Sequence, residues 1–193
     1  MSWEGKEVPT LELLEAELEK ELDRCDRIRL LKNTIFLLLV VAAAAVLTAV
    51  LFLPFLQING ASMANTLYNG DLVVAVNNSR YQDGDVIAFN YNNSILVKRV
   101  IALPGEWVDI DEDGNVYVDD ELLEEPYVYE KDRGRCNIDL PCQVPEGEIF
   151  VLGDHRTVSV DSRNTAVGNV KEDAVVGEVF FRIWPLKKFG FVE

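Results

Sequence analysis

The stretch Ile35-Phe36-Leu37-Leu38-Leu39-Val40-Val41-Ala42-Ala43-Ala44-Ala45-Val46-Leu47-Thr48-Ala49-Val50-Leu51-Phe52-Leu53-Pro54-Phe55-Leu56 contains no charged side chain. At about 1.5 Å of rise per residue it can cross the roughly 30 Å hydrocarbon core of a bilayer. Arg24, Arg27, Arg29 and Lys32 flank its near end, and the next basic residue beyond its far end is Arg80. This asymmetry predicts a single-pass anchor in the plasma membrane, N-terminus in the cytoplasm and the rest of the chain outside. A cleavable leader fits poorly, because the run is too long and the region before it too long and too acidic. Three segments follow: a cytoplasmic segment 1–33, a transmembrane helix 34–57 and an extracytoplasmic domain 58–193. The apolar residues between Trp184 and Phe191 are too few for a second span.

Upstream of the run, Leu11, Leu14, Leu18, Leu22 and Cys25 recur at three- and four-residue intervals, which predicts an amphipathic helix from Thr10 to about Asn33. Thr10 is placed to cap it. The helix can rest on the membrane or its neighbours, or pair with a partner helix; the sequence leaves both open.

Downstream of Leu67 the pattern changes to period two and short apolar runs. Leu72–Val76, Val86–Phe89, Ile95–Leu103, Trp107–Ile110, Val116–Val118, Ile149–Leu152 and Val175–Ile183 read as strands. Asp83-Gly84-Asp85 and Asp113-Gly114-Asn115 read as turns. The expected fold class is mainly β: an antiparallel, barrel-like domain of coiled sheets, preceded by one transmembrane helix and a cytoplasmic amphipathic helix.

The 193 residues carry 33 acidic and 18 basic side chains, a net charge of −15. Nine acidic and six basic residues precede Thr34, so most of the negative charge lies after the apolar run. Such a domain repels phosphate backbones, and nucleic-acid binding is not expected. His155 is the one histidine, which argues against a His-rich metal site. Cys136 and Cys142 cannot make a four-ligand zinc site alone. In an oxidising compartment a short-loop disulfide between them is plausible, whereas Cys25 should stay reduced.

Of the lysines after the run, Lys98 alone sits mid-strand among apolar residues, and alternation puts Leu96, Val100 and Ala102 on its face. Lost hydration there favours the neutral amine, which can act as a general base. The competing reading lays the stem along the sheet and carries the charge to solvent. Arg99 faces the other way, towards a carboxylate. Ser62, just past the anchor in Gly60-Ala61-Ser62-Met63-Ala64-Asn65-Thr66-Leu67, is a candidate nucleophile near the membrane face, or a plain loop serine. Gly60 permits close backbone approach, and Met63 and Leu67 can bury to fix the turn. Gly153 to Arg163 is dense in hydrogen-bonding groups: Ser159 can meet a buried amine, and Asp161 and Arg163 can pair. A Ser–His–Asp arrangement through His155 is the weaker alternative.

These stretches together resemble the bacterial type I signal peptidases, membrane-bound Ser–Lys peptidases of family S26. The family pattern Ser-Met-x-Pro-Thr-Leu, then Gly-Asp, is similar to Ser62 through Leu67 and Gly70-Asp71. Its lysine segment is matched by Lys98-Arg99-Val100-Ile101-Ala102-Leu103-Pro104-Gly105, and its Gly-Asp-Asn-Arg segment by Gly153 through Arg163. Gly84-Asp85-Val86-Ile87 matches a further strand start. The resemblance implies Ser62 as nucleophile, Lys98 as general base, Ser159 orienting the amine, and Asp161 and Arg163 as a supporting pair. Gly60 falls at an oxyanion-hole position, so the hole would lean on backbone N–H groups.

The resemblance also implies an acyl-enzyme, no cofactor, the export machinery and lipid bilayer as partners, and preprotein signal peptides as substrates. These carry small residues one and three positions before the cut, and Met63, Leu96 or Val100 are candidate pocket walls. Two positions depart from the pattern: Asn65 stands for proline, and His155 for asparagine. A self-cleaving repressor-type peptidase and a membrane-tethered binding module without activity are the other readings. The anchor and the lack of a DNA-binding segment disfavour the first; only Asn65 favours the second.

Overall fold

The computed structural model describes residues 11–52, 54–77 and 80–192. They fall into two compact units, divided after Phe52.

The first unit is one helix, α1, Leu11–Phe52. Its 42 residues extend about 63 Å at 1.5 Å each. The expected separation between an amphipathic helix ending near Asn33 and a membrane helix is absent. Asn33 and Thr34 are helical, and Thr34 Oγ1 donates to the Leu30 carbonyl at 2.9 Å. No glycine or proline stands between Leu11 and Phe52, so nothing obliges the backbone to leave the helix. The described side chains of α1 are exposed, and Leu37, Leu38 and Leu39 each show more than 60% of their surface. The uncharged part of α1, from Asn33 onward, is at home in lipid, where its backbone bonds are satisfied internally.

The anchor also ends earlier than residue 57. Phe55–Gln57 is a strand, β1, and belongs to the second unit. Pro54 has no N–H for an i→i−4 bond, so it cannot extend the helix, and the chain is extended from Phe55.

The second unit is antiparallel β. Its elements after β1 are β2 (Leu72–Val76), β3 (Val86–Tyr91), β4 (Ser94–Ala102), β5 (Trp107–Ile110), β6 (Val116–Val118), β7 (Glu121–Leu122), β8 (Cys142–Gln143), β9 (Glu148–Leu152), β10 (Val170–Lys171), β11 (Val175–Trp184) and β12 (Gly190–Phe191). The larger sheet runs β1-β2-β11-β3-β4-β9-β10, with β12 added to β11. The smaller sheet runs β7-β6-β5-β8. Among the described residues the larger sheet is an open path from β1 to β10, not a closed barrel. Register shifts interrupt β11 and fall between Val100 and Ala102 of β4, and bulges of this kind add local twist.

Three apolar clusters hold the unit together. Met63, Leu67, Ile58, Val73, Ala75 and Val179 lie beneath the turn that carries Ser62. Ile101, Ala102, Val108, Ile110, Phe150 and Leu152 join the two sheets. Ile87, Phe89, Val100, Ile149 and Val151 fill the third. Leu96 packs with Val100, as alternation predicts, but Ala102 falls past the bulge into the second cluster.

Candidate active site

Ser62 lies in a tight turn. Ala64 N–H donates to the Ala61 carbonyl at 3.0 Å, and Leu67 N–H to the Met63 carbonyl at 2.7 Å. Met63 and Leu67 are buried at 2% and 0% exposure, so two apolar plugs fix the turn and leave Ser62 half-buried above them.

Lys98 comes from the middle of β4, where it pairs with Ile87 of β3. Only 3% of it is exposed, so its charge is not carried to solvent. Its Nζ donates to Ser62 Oγ at 2.8 Å and to its neighbour's carbonyl, Val97 O, at 3.0 Å. Burial pushes its pKa down to about 8, against the opposing pull of Asp161 and Asp154.

The loop after β9 wraps this pair. His155 N–H donates to the Ser62 carbonyl at 3.0 Å. Gly153 N–H donates to Asp161 Oδ2 at 3.0 Å. Arg163 holds Asp161 through two bonds of 2.8 Å and reaches the carbonyls of Asp132, Arg133 and Arg156. Burial would raise the Asp161 carboxyl, but the Arg163 guanidinium outweighs it and holds the group below the usual carboxylate range.

Ser159 is buried beside Gly153, and its hydroxyl faces the Asp161 carboxylate, which it helps to hold in the charged form. The amine of Lys98 is taken by Ser62 and Val97 instead. Gly60 has a left-handed φ of 100°, and its N–H is taken by Asn69 Oδ1 at 3.0 Å. It is therefore already occupied as a donor. Nothing among the described residues accepts from the Ser62 N–H, which leaves that donor open. The histidine alternative finds no support: among the described residues His155 Nδ1 has no partner, and Asp154 is gripped by Arg99.

A cleft of about 90 Å³ opens beside Ser62 and Lys98. Gly60, Met63, Ile95, Leu96 and Val97 are among its walls. Of the expected pocket residues Met63 and Leu96 are present, while Val100 is buried in the third cluster.

The expected bridge between Cys136 and Cys142 is not formed. Both are free and half-buried. Cys136 Sγ points to the Ile138 carbonyl at 3.9 Å, while Cys142 is held in β8 opposite Val108. Burial pushes the Cys142 thiol up, with Cys136 adding to the rise.

Three further supports are present, the first of them the carboxylate expected opposite Arg99. Arg99 binds Asp154 through Nε and Nη2, both at 2.9 Å, and the Gly84 carbonyl at 2.7 Å. Glu125 and Arg156 form a second buried pair. Gly153 is the third: a Cβ there would fall on Ser159 Oγ and the Ser62 carbonyl. Arg99, Asp154 and Arg156 stand in the matched motifs, so their positions were marked although their partners were not. Glu125 had no local signal.

The family described as signal peptidase, peptidase S26, matches residues 28–184. Signal peptidase I of Bacillus caldolyticus is 40% identical over 151 residues, 69% of this chain and 81% of that protein. Signal peptidase I of Bacillus licheniformis is 33% identical over 175 residues, 81% of this chain and 92% of that protein. Signal peptidase IB of Staphylococcus aureus (strain MRSA252) is 38% identical over 155 residues, 69% and 79% of the two chains. A crystallised signal peptidase I from Enterococcus faecalis V583 matches 52% of this chain and 97% of its own at 33% identity, with a TM-score of 0.43. The matched span and the identity over most of the chain place it without ambiguity: it belongs to the S26 signal peptidase family.

Proposed function

We propose that this chain is a membrane-anchored serine endopeptidase that removes signal peptides from exported preproteins, with Ser62 as nucleophile and Lys98 as general base. The observation that carries the residue assignment is the 2.8 Å bond from a buried Lys98 amine to Ser62 Oγ. Family membership and relatives that are themselves signal peptidases carry the substrate class.

In this reading the neutral Lys98 amine takes the Ser62 proton as Oγ attacks the scissile carbonyl. The open Ser62 N–H is placed to bond the developing oxyanion. The ammonium then gives its proton to the leaving amine, and an acyl-enzyme remains. Lys98 next accepts a proton from water, the hydroxide attacks the ester, and the proton returns to Ser62 as the signal peptide acid departs. Such a Ser–Lys pair needs no histidine.

Ser159 serves here through the Asp161 carboxylate and not by a bond to the amine, and Asp161 with Arg163 fixes the loop after β9. The cleft of about 90 Å³ suits small side chains near the cut. The basic residues Arg24, Arg27, Arg29 and Lys32 support a cytoplasmic N-terminus and an extracytoplasmic peptidase domain, which would receive its substrates from the export machinery.

Full-length protein in detergent tests the reading with a preprotein carrying an Ala-x-Ala site. Cleavage is expected, and Ser62→Ala and Lys98→Ala should each abolish it while the far-UV circular dichroism is kept. Activity persisting in either folded variant sinks the assignment. A folded wild type that binds the preprotein without cutting it would instead mark a binding module.

A further inference from the structure

We propose that Asn65 is a positioning residue for Ser62, holding the nucleophile turn through its left-handed backbone and its amide bond to Tyr127. This rests on Ser62 acting as the nucleophile. Asn65 has φ +95°, a region that side-chain-bearing residues rarely enter and that asparagine tolerates best. Proline, fixed near φ −65°, cannot occupy it. The turn around Ser62 therefore closes by a different local path from one built on proline.

The Asn65 side chain ties this turn to a distant loop. Its Nδ2 donates to the Tyr127 carbonyl at 3.1 Å, a contact between residues far apart in the chain. Tyr127 is itself held at its ring, 3.9 Å from the Arg99 guanidinium. Its hydroxyl lies 3.4 Å from Glu125, whose carboxylate is paired with buried Arg156. Arg99 follows Lys98 directly in β4. Contacts thus run in a ring: Ser62 to Lys98, along the backbone to Arg99, across to Tyr127, over to Asn65, and back along the turn to Ser62. Thr66, the next residue, is held on both sides, by Asp154 and Arg99 at its hydroxyl and by Arg182 at its carbonyl, 2.9 Å away. Asn65 lies on the same turn as Ser62 and is exposed, so its contribution is to geometry more than to burial.

The test compares Asn65→Gly, Asn65→Ala and Asn65→Pro in the full-length chain in detergent, with kcat, KM, pH profile and Tm measured on a preprotein peptide. Glycine keeps the backbone and loses the tether: kcat should fall about fivefold to tenfold through misplacement of Ser62. KM should stay within about twofold, with Tm and the pH midpoint unchanged. Alanine loses both features and should fall further, and proline furthest. Wild-type kcat in the glycine variant overturns the proposal, as does wild-type kcat in the proline variant. A loss of Tm in step with kcat does so too, since it marks a merely structural role. Wild-type protein with no Ser62-dependent cleavage overturns the underlying function instead, so the two failures are distinct.

Discussion

Arg99 and Asp154 meet side by side, Nε to Oδ1 and Nη2 to Oδ2, each at 2.9 Å, with almost no surface exposed on either side chain. The pair joins the residue after Lys98 to the residue before His155. It thereby bolts the strand that carries the proposed base to the loop whose N–H holds the Ser62 carbonyl. Planar, two-point geometry makes this contact directional as well as strong.

Asp154→Asn should leave the Arg99 guanidinium buried and half-matched. Breaking one partner of a buried pair costs roughly 3–5 kcal/mol. We expect a loss of that order in urea unfolding, accompanied by loss of cleavage. A change below about 1 kcal/mol would mean that the pair is not a bolt.

The pH dependence follows from Lys98. With its pKa at about 8, the neutral amine makes up about a tenth of the population at pH 7. The rate kcat/KM should rise about tenfold per pH unit below 8 and level off above it. A profile already flat at pH 6.5 would remove Lys98 from the role of free base.

Stability should also rise with pH, but over a higher range. The pKa of Lys98 is depressed from 10.5, so the folded state gives up its proton first. Below pH 8 the amine is charged in both states and its burial penalty is carried in full. The penalty fades between about 8 and 10.5 and is gone above that range. Lys98→Met should therefore be more stable than wild type by about 1–3 kcal/mol at pH 7, and by much less at pH 10.5. Denaturant unfolding at both pH values measures the difference, and peptide cleavage should be lost throughout.

Gly153→Ala sets a methyl group where Ser159 Oγ and the Ser62 carbonyl now lie. The loop must shift, because one of the two neighbours is backbone. Cleavage should fall about a hundredfold or more while stability drops by only about 1–3 kcal/mol. Thermal melting and peptide turnover measured together separate the two effects.

Much of the fold could be read from local pattern. The seven strands read from alternation are all present within one residue at either end, apart from β3, which runs two residues further, to Tyr91. Those that escaped, β1, β7, β8, β10 and β12, are two or three residues long. At that length a strand has no period of its own and exists only because a neighbour offers hydrogen bonds. The continuity of α1 past Asn33 escaped for a related reason: a change from polar to apolar composition need not change the backbone when no breaker is present.

The sequence by itself determined the apolar anchor, the β character of the rest and the motif positions of Ser62, Lys98 and the 153–163 loop. Those features depend on residue type and spacing along the chain. Tertiary structure alone decided which groups meet: Lys98 with Ser62, Arg99 with Asp154, Glu125 with Arg156, and Asn65 with Tyr127. Each pairing joins residues 31 or more positions apart. It is set by sheet register and the packing of buried side chains, which no local stretch encodes.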